Sequence, residues 1–95
     1  MPNVTRKQII ALLEQQQYRC AATGWPLTPE TASLDHVVPV ANGGAHAIEN
    51  MQVIDWRVNK AKGTMSMDEL IHLCRAVITH QEAPTRPTDE AAVLP

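Results

Sequence analysis

The run Ala41-Asn42-Gly43-Gly44-Ala45 constrains this chain more than any other feature. Asn-Gly and Gly-Gly accept positive φ at little steric cost, so they mark a place where the backbone turns sharply. Before it stands Ser33-Leu34-Asp35-His36-Val37-Val38-Pro39-Val40, rich in β-branched residues. That stretch reads as a strand passing into a loop or a second strand near Pro39. Together they predict a hairpin centred on residues 40–46.

The rest of the chain reads as helix. Thr5-Arg6-Lys7-Gln8 has the form of a capping box, and Ile9, Leu12 and Leu13 follow at helical spacing. The spacing predicts a helix over about 5–17. Residues 18–31 carry Gly24, Pro26 and Pro29 and read as irregular, with one short extended piece at Tyr18-Arg19-Cys20. From Met51 to Lys62 there is no Pro or Gly, and Met51, Ile54, Val58 and Ala61 fall at 3–4 spacing. This predicts a second helix closed by Gly63 at its C-cap. Ser66-Met67-Asp68-Glu69 is another capping box. It opens a third helix, 67–80, with Met67, Leu70, Ile71, Cys74, Val77 and Ile78 along one stripe. The fold class expected is therefore α+β, in one domain over 1–82. Residues 83–95 hold three prolines and no periodicity, and read as a flexible tail.

Composition narrows the functional classes. With 95 residues, no Phe and only Tyr18, Trp25 and Trp56 aromatic, the core is thin. The scarcity of aromatics also argues against a base-stacking single-strand platform. No apolar run approaches the roughly 20 residues of a membrane span. The N-terminus lacks an apolar stretch after a basic start, so no secretory leader is expected. Cys20 and Cys74 are too few and too far apart for a disulfide scaffold, and a cytoplasmic setting is expected. Residues 1–80 carry 7 basic and 7 acidic side chains, and the net charge of −2 arises in the last 15 residues. A neutral body matches nucleic acid poorly by itself, so a homodimer or a partner protein is expected to supply part of any such affinity.

The chemistry-bearing residues lie between 35 and 63. Asp35-His36 sits at the predicted strand end, Asn50 where the hairpin meets the helix, and Asn59 two turns into that helix. A hairpin packed on a helix would bring the four together. Asp35 and Asn59 offer oxygen, which suits a hard ion such as Mg²⁺ or Mn²⁺. His36 brings an imidazole, the side chain best suited to take a proton from water at physiological pH. Neighbours on a strand face opposite sides. The pair can serve one site only if the backbone bends or the phosphate lies between them. Asn50 could orient His36 through its side chain or its carbonyl. Arg57, Lys60 and Lys62 could reach phosphate oxygens from the helix, and His46 from the turn. For Asp35 and Asn50 the plainer alternative is turn capping, and for Asn59 a solvated helix position.

Asp35-His36-Val37-Val38-Pro39, Gly43-Gly44, Ile48-Glu49-Asn50-Met51-Gln52 and Asn59-Lys60-Ala61-Lys62-Gly63 together resemble the HNH endonuclease motif. The resemblance covers about 30 residues, 33–63 at its core, and takes in 18–63 more loosely. It implies a ββα-metal core, a hairpin and helix around one divalent ion, flanked here by N- and C-terminal helices. It makes His36 the general base, Asn50 the middle Asn, and Asp35 and Asn59 the metal ligands. Asn in the last position is the H-N-N variant, similar to domains of phage homing endonucleases and CRISPR effector nucleases. The implied activity is metal-dependent hydrolysis of DNA, leaving 5′-phosphate and 3′-hydroxyl ends, in a bacterial or phage-infected cell. One departure stands out. Many such domains bind structural zinc through two Cys-x-x-Cys pairs, and here the positions read Cys20-Ala21-Ala22-Thr23 and Asp55-Trp56-Arg57-Val58. No structural zinc is expected. Trp25, Trp56, Val58 and the flanking helices are expected to stabilise the fold in its place. Two rival readings keep the fold without the chemistry: a silent DNA-binding or packaging-associated module, and an interaction module built on the 67–80 helix.

Overall fold

The computed structural model describes residues 4–84. The architecture is α+β. Three helices flank a two-stranded antiparallel sheet, in the order α1 (Arg6–Gln15), β1 (Ala32–His36), β2 (Met51–Asp55), α2 (Trp56–Lys62) and α3 (Met67–Gln81). The expected tail falls outside the described residues from 85 onward. Among the described residues no helix is long and apolar enough to cross a membrane.

Both capping boxes form as read. Gln8 N–H donates to Thr5 Oγ1 and Thr5 N–H to Gln8 Oε1 (3.1 and 2.9 Å). Ser66 and Glu69 make the same reciprocal pair (3.1 and 2.9 Å). Each box satisfies donors that a helix start otherwise leaves bare. α1 ends earlier than expected because Gln17 and Tyr18 both take φ of 57°, outside the helical range.

The centre of the chain departs from the expectation in two ways. Residues 40–46 do not form a hairpin turn. The arms that pair are 32–36 and 51–55, with Asp35 opposite Gln52 and His36 opposite Met51. Residues 37–50 make a long connection holding two single turns of 3₁₀ helix, Val40–Asn42 and Ile48–Asn50. The helix expected from Met51 also begins later. Met51–Asp55 is strand, because both of its faces are covered: Met51, Val53, Ile54 and Asp55 are all buried. A strand covered on both sides loses the alternating pattern that betrays it. Asp55 then caps α2 by accepting from Arg57 N–H at 2.8 Å. Asn59 therefore lies about one turn into α2 rather than two.

The outer edge of β2 is closed by side chain rather than by a third strand. Val53, whose N–H and C=O point away from β1, accepts from Gln16 Nε2 (2.9 Å) and donates to Gln16 Oε1 (3.0 Å). Ala21 N–H adds a bond to the same carbonyl (3.1 Å). This blunts an edge that would otherwise offer itself for pairing. The core is small and aliphatic: Cys20, Met51, Val53, Ile54 and Leu70. Trp25 and Trp56 are exposed and take no part in this core.

Candidate active site

Cross-strand register places Ser33, Asp35, Gln52 and Ile54 on one face of the sheet, and α2 packs there. Asp35 is 7% exposed, and its carboxylate is held at both oxygens. Lys62 Nζ donates to Oδ1 at 3.1 Å and Gln52 Nε2 to Oδ2 at 3.0 Å. Lys62 also donates to the His36 carbonyl at 2.8 Å, and the residue is 1% exposed. Its ammonium is thus an internal counter-charge. The structure corrects the expectation that Lys62 reaches out to phosphate.

Asn59, on the same face, donates through Nδ2 to Ser33 Oγ (2.6 Å) and more weakly to the Leu34 carbonyl (3.4 Å). Its Oδ1 accepts no hydrogen bond among the described residues. Asp35 and Asn59 are brought to one face by the sheet and α2, but no hydrogen bond joins them.

His36 points to the other side of β1, at its last residue, and is half-buried. Its Nε2 lies 3.0 Å from Nδ1 of His46, with ring centroids 5.2 Å apart. His46 is exposed in the long connection, and the sequence reading of it as a phosphate neighbour missed this pairing. Beyond His36 the strand ends, and Val37 N–H donates to the Asn50 carbonyl (2.8 Å).

Asn50 makes no hydrogen bond to the His36 imidazole. Its side chain fastens the connection instead. Oδ1 accepts from Val38 N–H (3.0 Å), and Nδ2 donates to the carbonyls of Val38 (2.9 Å) and Ala45 (2.8 Å). Asn50, expected to orient His36 directly, thus acts on the backbone that carries His36 and His46 instead of on the ring. The two glycines of the connection have different duties. Gly43 takes φ of 90° at the end of the first 3₁₀ turn. Gly44 has ordinary φ, but a Cβ there would collide with the Val38 carbonyl and come within 2.9 Å of Asn50 Nδ2.

Arg57 does not extend freely either. Its guanidinium forks onto Asp55 (2.9 and 2.8 Å) and lies 5.4 Å from the centre of the Trp25 ring. The Arg57 hydrogen bonds hold the Asp55 carboxyl down at about 2, from an ordinary 3.8. Cys20 Sγ accepts from Asp55 N–H (3.3 Å) and Thr23 N–H (3.4 Å). Burial pushes its thiol up, but the Thr23 side chain and the Asp55, Thr23 and Ala22 backbones, all hydrogen-bonding it, together outweigh burial and leave it below its ordinary value. Cys20, Thr23 and Asp55, three of the positions where the two Cys-x-x-Cys pairs would stand, are thus joined by protein hydrogen bonds.

The donor types at Asp35 and Asn59 fit a hard divalent ion, being oxygens without thiolate. Among the described residues no three His, Cys, Asp or Glu side chains cluster into a metal-holding group, so an ion at this face would find protein oxygen only from Asp35 and Asn59. The sequence reading missed Ser33 and Gln52, which fix those two side chains. Reading 51–55 as a strand opposite 32–36 would have found them. No protein-family model matches the chain, and no curated protein matches it.

Proposed function

We propose that this chain is a divalent-metal-dependent endonuclease that hydrolyses DNA phosphodiesters. The observation that supports the reading best is the end of β1. An oxygen-ligand face built by Asp35 and Asn59 lies on one side, and a half-buried imidazole with one committed nitrogen lies on the other. A phosphate seated across the strand end meets both.

His36 is the base. With Nε2–H donated to His46 Nδ1, the Nδ1 atom of His36 keeps its lone pair and takes a proton from water. The water oxygen attacks phosphorus opposite the 3′-oxygen, the P–O3′ bond breaks, and the departing 3′-oxygen takes a proton from solvent, leaving 5′-phosphate and 3′-hydroxyl ends. As the ring becomes imidazolium, the His46 contact still holds the Nε2 proton. Asn50 keeps the connection bearing His46 in place. A divalent ion held by Asp35 and Asn59 would supply Lewis-acid stabilisation of phosphate charge.

Plasmid nicking in Mg²⁺ or Mn²⁺ tests the assignment. His36→Ala should lose about 10²–10⁴-fold in rate, the usual worth of positioned proton transfer, with DNA binding retained. Near-wild-type nicking by that variant refutes the base. A silent DNA-binding module is the competing reading, favoured by the engagement of both Asp35 oxygens within the protein. Binding without any metal-dependent nicking by the wild type would select it.

A further inference from the structure

The most unusual group in the molecule is the Lys62 ammonium. Lysine is almost never fully buried unless paired, yet Lys62 is among the largest fully buried side chains here. It ends on the Asp35 carboxylate at 3.1 Å and on the His36 carbonyl at 2.8 Å. It stands at an oxygen a metal ion would use.

We propose that Lys62 is the resident counter-cation of Asp35, which a divalent ion displaces from Oδ1 on binding. This rests on the metal-dependent reading above. Without metal, the buried carboxylate is neutralised and its rotamer fixed, so the ligand is positioned before the ion arrives. Exchange sets a threshold of charge. A monovalent cation brings no more charge to Asp35 than the ammonium it replaces, whereas a divalent ion brings twice as much. The site therefore discriminates by valence, and binds its divalent ion less tightly than a bare carboxylate would. The His36 carbonyl, 2.8 Å from Nζ, remains as an anchor for the released ammonium, so Lys62 keeps its hold on the backbone at the strand end.

Mn²⁺ binding, followed by electron paramagnetic resonance, tests this in the wild type, Lys62→Met and Asp35→Asn. Lys62→Met should bind Mn²⁺ at least about tenfold more tightly than wild type, since a like charge next to the ligand has gone. Asp35→Asn should not bind. Equal or weaker affinity in Lys62→Met, with wild-type binding intact, overturns the counter-cation role and leaves the metal site standing. Absence of Mn²⁺ binding in both wild type and Lys62→Met overturns the metal reading itself. A variant too unstable to titrate does not remove the test. In the wild type, the Lys62 ammonium resonance in ¹H–¹⁵N spectra should move on saturation with Mg²⁺ but not with an equal ionic strength of K⁺. A resonance unmoved by saturating Mg²⁺ overturns the proposal.

Discussion

The body built from β1, β2 and α2 and the helix α3 are made of the same kinds of side chain, yet they are packed in opposite ways. In the body, Ile54 is 0% exposed, and even charged groups such as Asp35, Asp55 and Lys62 are buried. In α3, only Leu70 is buried, and every residue from 71 to 80 is exposed, including Ile71, Leu73, Val77 and Ile78. Burial in the body is enforced by pairing: register puts Asp35 against Gln52, and α2 brings Lys62 onto it. α3 is enforced by its own start, through the Ser66–Glu69 box. The contrast teaches that an apolar stripe in a sequence announces a helix, not what covers it.

Four measurements sharpen the contrast, beginning with the body. Ile54→Ala removes a wholly enclosed side chain and should cost about 2–5 kcal/mol, the range for such core truncations. Urea denaturation would show it as a lower midpoint with an unchanged slope. A cost under about 1 kcal/mol would mean that the body is as loosely packed as α3.

Asn50→Ala comes next. It deletes three hydrogen bonds that close the connection, each worth about 0.5–1.5 kcal/mol net. The expected loss is about 2 kcal/mol, together with faster amide exchange at Val38, whose N–H bonds to Asn50 Oδ1. Unchanged exchange there would remove Asn50 from its positioning role and return it to a surface loop residue.

These two variants also mark how far the sequence could be read. The capped helices were legible because a cap is a local device, complete within four residues. Gly63 closing α2 with φ of 54° was legible for the same reason. The strand at 51–55 was not, because Met51 and Ile54 fit helical spacing equally well and the covering partner, α1 with Gln16, lies some 37 residues away. The site residues Asp35, His36, Asn50 and Asn59 were legible as types at a spacing. What they touch was not. The partners of Asp35 depend on a register fixed only by the folded sheet, and Lys62 at 62 looks in sequence like any solvated helix lysine.

A pH titration separates the regions by charge. Asp55 is held near 2 by Arg57, below its ordinary 3.8. A carboxylate depressed on folding adds stability that is complete above about pH 4 and disappears as pH falls through about 2. The melting temperature of the wild type should therefore drop between pH 4 and 2. Asp55→Asn keeps an N-cap acceptor but loses the charge, and its curve should be flatter over that window. Parallel curves would show that the Arg57 fork does not depress Asp55.

The smallest effect belongs to α3. Ile78 is 53% exposed and Val77 52%, so truncating or polarising either removes little from the folded interior. Ile78→Ser should change stability by no more than about 0.5 kcal/mol, as surface substitutions away from special features do. It keeps the helix start intact, whereas Ser66→Ala removes the cap and should cost about 1 kcal/mol. The pair gives an internal scale: on α3, the cap should outweigh the stripe. The opposite order, with Ile78→Ser the costlier change and its cost growing with protein concentration, would show that the stripe is an interface between copies of the chain. Sedimentation at the same concentrations would then find a dimer that the Ser variant dissociates. A cost independent of concentration would place the cover within the chain itself.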